Sequence, residues 1–227
     1  MGNSSEVAVA RKQIHLRHVL FALLLLMFVF VLWHDERFVF VHSDKKWAYY
    51  FPVRWLVLPH VVTGMIALLT GPFQFSSRFR QRHLRIHRMM GRVYLASVAV
   101  AAIVAIYVTA IRPRDTDGKE WLFALAVAWL ITGAIAFAAV LNRNIEAHRQ
   151  WIARNYALTT VFVTVRVLKT IPIPHSNGEG PAWILVLATL LFTELGLSWQ
   201  SVFSQTRRMQ ASRTARTPEP KLPGRGR

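Results

Sequence analysis

The stretch RQRHLRIHRMMGRVY, residues 80–94, crowds five arginines and two histidines against a segment that runs on apolar to Ile111. In a soluble chain such arginines would suggest nucleic acid; at the mouth of a membrane helix they are the basic flank of a span. Composition favours the second. Of the 227 residues, 53% are hydrophobic, and mean hydropathy is +0.31. Apolar runs long enough to cross a hydrocarbon core of roughly 30 Å recur along the chain, separated by short basic segments. Six are expected, at residues 16–33, 55–75, 87–111, 121–141, 151–171 and 182–203. The sequence therefore predicts an all-α integral membrane protein, a bundle of six transmembrane helices over 16–203, with a short segment 1–15 before it and a basic tail 204–227 after it. The first run shows no small-x-small cleavage pattern near Trp33 and is expected to be a retained helix.

The formal net charge of +17 is distributed unevenly. With six spans, the N-terminus, the segments 76–92 and 142–154 and the C-terminus share one side of the membrane and hold 19 of the 28 Lys and Arg. The other side holds 7, and Arg166 and Lys169 lie near the end of the fifth span. The positive-inside rule assigns the richer side, with both termini, to the cytoplasm. The basic excess then serves topology and attraction to anionic lipid, with the tail as the main lipid contact, and no nucleic-acid partner is expected.

There is no cysteine, which excludes disulfides, thiolate catalysis and cysteine-held zinc or clusters. No H-E-x-x-H, phosphate-cradling glycine loop or Ser/His/Asp spacing appears either. The tail, with its prolines and seven basic residues, is expected to be disordered at the membrane surface.

Polar residues inside the spans carry more information, because an ionisable group in hydrocarbon is costly and turns toward protein or water. On the fifth span Asn155, Thr159 and Arg166 fall within about 20° of the direction of His148, one polar stripe along the helix. It serves either a polar path or hydrogen bonds between helices, with Arg166 and Lys169 reaching to the outer interface. His60 lies about 7.5 Å into the second span and Arg166 at a matching depth, so the two are expected at one level with the outer-loop His175 as a further candidate. Glu194 lies about 18 Å into the sixth span, nearer the level of Thr159. As the only acid deep in a span, it is either a neutral hydrogen-bonded group or, with Asn155 and Thr159, part of a proton path.

In the third span His87, Gly91, Tyr94 and Val98 share one face, and HRQWIARNY at 148–156 nearly repeats the opening stretch. Each copy has His-Arg at its mouth and an arginine and tyrosine further on: Arg92 and Tyr94, Arg154 and Tyr156. Two imidazoles at one depth on parallel helices suit a planar metallocofactor, with Arg92, Arg149 and Arg154 neutralising its carboxylates and Gly91 opening a gap. The opposing reading is that both histidines are ordinary headgroup-level residues. On the second span His60, Gly64, Ala67 and Gly71 form a small-residue face that admits either a close helix or a flat ring.

HVVTGMIALLTGPFQF at 60–75, HRMMGRVY at 87–94 and HRQWIARNYALT at 148–159, followed by Arg166, resemble the multi-pass bacterial membrane family DUF2306, over about 59–203. The resemblance implies the membrane topology, a bacterial cytoplasmic membrane, and emphasis on His60, Gln74, His87, Gly91, Tyr94, His148, Arg149, Trp151, Arg154, Tyr156 and Arg166; it brings no activity with it. The architecture is similar to that of dihaem b-type membrane cytochromes, although no span here carries a histidine at each end.

The leading expectation is a membrane electron-transfer protein that binds haem b and acts with quinone or a redox partner. His87 and His148 would be axial ligands, His60 and Arg166 an outer site for a second ligand set or a quinone, and Glu194 a proton carrier. A small transporter or channel with a path along the fifth span, or a structural subunit, are the alternatives.

Overall fold

The computed structural model describes residues 22–34, 51–111, 119–170 and 183–198, with the isolated positions 19, 37, 41, 47 and 48. Its helices are α1 (Ala22–His34), α2 (Arg54–Gln74), α3 (Ser77–Arg82), α4 (Leu84–Ile111), α5 (Lys119–Leu141), α6 (Ile145–Lys169) and α7 (Trp183–Ser198). No strand occurs among the described residues.

Three helices are long and apolar enough to cross a membrane: α4, α5, and α2 with the 3₁₀ turn Phe51–Val53 that leads into it. At 25 residues α6 also has the length, about 38 Å. It lacks the apolarity because it carries the polar stripe. In their described residues, α1 and α7 are apolar but shorter than a span. Large apolar side chains stand exposed on these helices, among them Leu26, Val62, Ile103 and Phe137. Lipid tails supply the cover that water would not, and the protein is accordingly a membrane protein.

Local sequence explains the helix limits. Asn144 accepts the N–H of Ala147 at 3.0 Å and starts α6, with Glu146 in the first turn where the helix dipole favours an acid. The helix therefore begins six residues before the expected 151. Ser76 accepts from Phe79 N–H and starts the short α3, which interrupts the basic segment. Between α5 and α6 the N–H of Asn144 bonds Ala139 O (2.9 Å) and that of Arg143 bonds Val140 O (3.1 Å), with Arg143 at φ 57°. This is a Schellman turn with arginine at the position glycine usually takes.

Helices α2, α4, α5 and α6 pack in sequence around a common core, and α6 returns to touch α2. Alanines 67, 101, 102 and 136 are fully buried, so the backbones approach closely. On α4, Tyr94, Val98, Ala101 and Ala102 recur at helical spacing and form the inward face. Val186 of α7 joins the same core. Residues from Leu191 onward form a separate compact unit, and Glu194 lies in it, part-buried on α7.

Candidate functional site

The polar stripe of α6 meets α4 and α5 at the centre of the bundle. Tyr94 donates to Asn155 Oδ1 at 2.6 Å and lies 3.2 Å from the Thr159 hydroxyl. Trp129 Nε1 donates to the same hydroxyl at 2.9 Å. The Asn155 amide donates to Trp129 O (2.7 Å) and to Thr132 Oγ1 (2.8 Å). Thr159 in turn donates to Asn155 O at 3.0 Å. Asn155 and Tyr94 are fully buried, and their polar groups find partners within the protein. This arrangement joins three helices and suits packing, the second of the two uses expected for the stripe.

One turn of α2 away, Tyr156 inserts its ring against Gly71, where a Cβ would collide with it, and donates to Leu68 O at 3.2 Å. The Tyr94 and Tyr156 rings lie 6.4 Å apart. The small-residue face of α2 thus admits a flat ring at Gly71, and that ring is the protein's own. At Gly64 nothing stands within 4 Å of an added Cβ.

Gly64 instead borders a partly open cavity of about 80 Å³. His60, Trp129, Thr159 and Arg166 line it together with apolar side chains such as Phe28 and Phe162. The matching depths of His60 and Arg166 are realised as a shared wall, and the charge of Arg166 reaches the His60 ring. His60 Nδ1 is 2.8 Å from Ala101 O, a bond that fixes the tautomer with Nδ1 as donor and leaves Nε2 a lone-pair acceptor. The cavity is therefore lined by an imidazole from α2 and a guanidinium from α6 in apolar surroundings.

At the other end His148 repeats the tautomer device: Nδ1 is 2.8 Å from Ala136 O on α5. His87 and His148 stand near the starts of α4 and α6. Their separation in sequence, 61, is that of Tyr94 and Asn155 further along the same two parallel helices. The gap expected at Gly91 is filled: a Cβ there would lie 3.2 Å from Gln74 Oε1. Arg92 and Arg149 are exposed, and Arg154 is part-buried with its guanidinium 4.9 Å from the Trp151 ring centre. Among the described residues, the buried polar atoms without a hydrogen-bond partner are Gln74 Nε2 and His87 Nδ1. No group of three His, Asp or Glu gathers to hold a metal ion among the described residues. His175, the tail 204–227 and the segment 1–15 lie outside the described residues.

Sequence reasoning did not find Trp129, Thr132 or the carbonyls of Ala101 and Ala136. Trp129 and Thr132 are polar donors within an otherwise apolar span, a signal open to reading. The carbonyls are not, because every residue has one.

Comparison with curated proteins gave no match, and comparison with solved structures gave none. A family model described as "Predicted membrane protein (DUF2306)" matches residues 57–195, and the chain belongs to that family.

Proposed function

We propose that the protein binds a lipid-soluble quinone, in its quinone or quinol form, in the His60–Arg166 cavity. The observation that carries this reading is the pairing, in one membrane-level cavity, of a histidine held as an acceptor with an arginine that can only donate. A quinone carbonyl accepts from Arg166, and a quinol hydroxyl donates to His60 Nε2, so both redox forms find a partner. Ligand entry from the bilayer needs no aqueous route, since the cavity opens among apolar side chains.

The test is a titration of the detergent-purified protein with a decyl-substituted benzoquinone, read as tryptophan quenching. Saturable binding is expected, with His60→Leu weakening it about 10-fold, the equivalent of one lost hydrogen bond of about 1.4 kcal/mol. A folded wild-type protein that shows no saturable quenching would overturn the reading.

Haem b between His87 and His148 is the second reading, favoured by their matching positions on α4 and α6 and by the tautomer of His148. The geometry carries it less far, since Gln74 occupies the gap beside Gly91 and Arg92 and Arg149 turn to the exterior. A reduced-minus-oxidised spectrum decides: a b-type band lost in both His87→Ala and His148→Ala supports haem, and a colourless folded protein removes it.

A further inference from the structure

We propose that α1 is the displaceable wall of the His60–Arg166 cavity and that Phe28 on it sets the size of ring the cavity admits. The inference rests on the quinone reading and adds to it the element that decides which quinone enters.

The first observation is a shortfall of space. The cavity measures about 80 Å³, whereas an apolar cavity that takes up benzene measures about 150 Å³. A quinone ring with its carbonyl oxygens is larger than benzene, so one wall has to give.

The second observation is that the walls are held differently. Trp129 and Thr159 are tied by hydrogen bonds into the buried centre, and His60 is bonded to Ala101 O on α4. Moving any of these breaks a buried hydrogen bond. The α1 wall consists of Phe28, Val31 and Leu32, at i, i+3 and i+4 on one helix face. Phe28 and Val31 pack with Leu68 of α2 and Val163 of α6, and Met27 and Met65 lie beside them. These contacts are apolar, and in a bilayer a lipid tail or a ligand replaces them at little cost. The methionines re-pack around whatever enters.

The third observation is where α1 can go. Its remaining faces carry Leu23, Leu26, Val29 and Trp33, all exposed, so an outward shift moves into lipid. Phe28 is the bulkiest of the three wall residues, and its ring takes the space that a larger ligand needs. His60 and Arg166 belong to the family segment 57–195, and α1 precedes it. The polar chemistry and the size limit thus come from separate parts of the chain.

The experiment compares a decyl-substituted benzoquinone with a two-ring decyl-substituted naphthoquinone on the full-length protein, by tryptophan quenching. Phe28→Ala is expected to shift the affinity ratio about 10-fold toward the naphthoquinone, the effect of enlarging an apolar pocket. Leu26→Ala, on the exposed side of α1, should leave the ratio unchanged. An unchanged ratio in Phe28→Ala, or an equal shift in Leu26→Ala, overturns the proposal and leaves the quinone reading standing. A wild-type protein that binds neither quinone removes that reading, and the wall is then judged on Gly64→Cys, which supplies the sole thiol of a cysteine-free chain. Its reaction with N-phenylmaleimide should speed up about 10-fold when Phe28→Ala is added; an unchanged rate, or no reaction at all, overturns the proposal. Phe28→Leu, a smaller deletion, takes the place of Phe28→Ala if the latter does not fold.

Discussion

Trp129 and Thr159 belong to two places at once. Toward α4 they close the centre, where the indole N–H, the threonine hydroxyl, Tyr94 and Asn155 satisfy one another without a gap. They also border the cavity, whose lining includes His60 and Arg166. The same contrast recurs along α2. Gly71 is closed by the Tyr156 ring, and Gly64, two turns earlier, faces open space. One polar stripe therefore serves packing at its middle and borders the cavity at its end. What separates the two uses is whether a neighbouring helix supplies the matching group.

That contrast breaks most readily at Asn155. Replacing it with leucine strands Tyr94, Trp129 O and Thr132 together, and we expect a loss of about 2–4 kcal/mol, about 1 kcal/mol for each partner. Thermal unfolding in detergent measures it, and a melting temperature unchanged from wild type would mean that the centre contributes no stability. Gly71→Ala comes next, with an expected cost of about 1–3 kcal/mol from overpacking against Tyr156. Gly64→Ala, on the same helix, should stay within about 0.5 kcal/mol of wild type by the same assay, because its methyl group meets nothing. Equal effects at the two glycines would erase the distinction between closed and open faces. The smallest change is at the turn between α5 and α6. Arg143→Gly should raise stability by up to about 1 kcal/mol, since glycine adopts the positive φ without steric cost.

The spans were legible where the bilayer itself imposes the pattern. The limits of α2 and α5 fall within two residues of those read from apolar runs, because lipid demands an unbroken stretch. The helix that carries the fifth apolar run begins before it, at Ile145, where Asn144 caps it and Glu146 occupies the first turn. The shared level of His60 and Arg166 followed from the helical rise and a common membrane frame. The distinction between closed centre and open cavity did not, since it depends on where Ala101 O, Ala136 O and the Trp129 indole come to lie. Gly91 shows the limit most plainly: the sequence presents a gap, and only the antiparallel register of α2 against α4 reveals Gln74 in it. Glu194 belongs to the second unit.

The central claim is that the space beside Gly64 receives a quinone ring. Its most direct test is the affinity for the decyl-substituted benzoquinone in the series Gly64→Ala, Gly64→Val and Gly64→Leu, each checked for an unchanged melting temperature. Affinity is expected to fall stepwise as the side chain fills the cavity, by about 10-fold or more at leucine, the effect of about 1.4 kcal/mol of lost binding. A folded Gly64→Leu protein that binds the quinone as tightly as wild type would contradict the account.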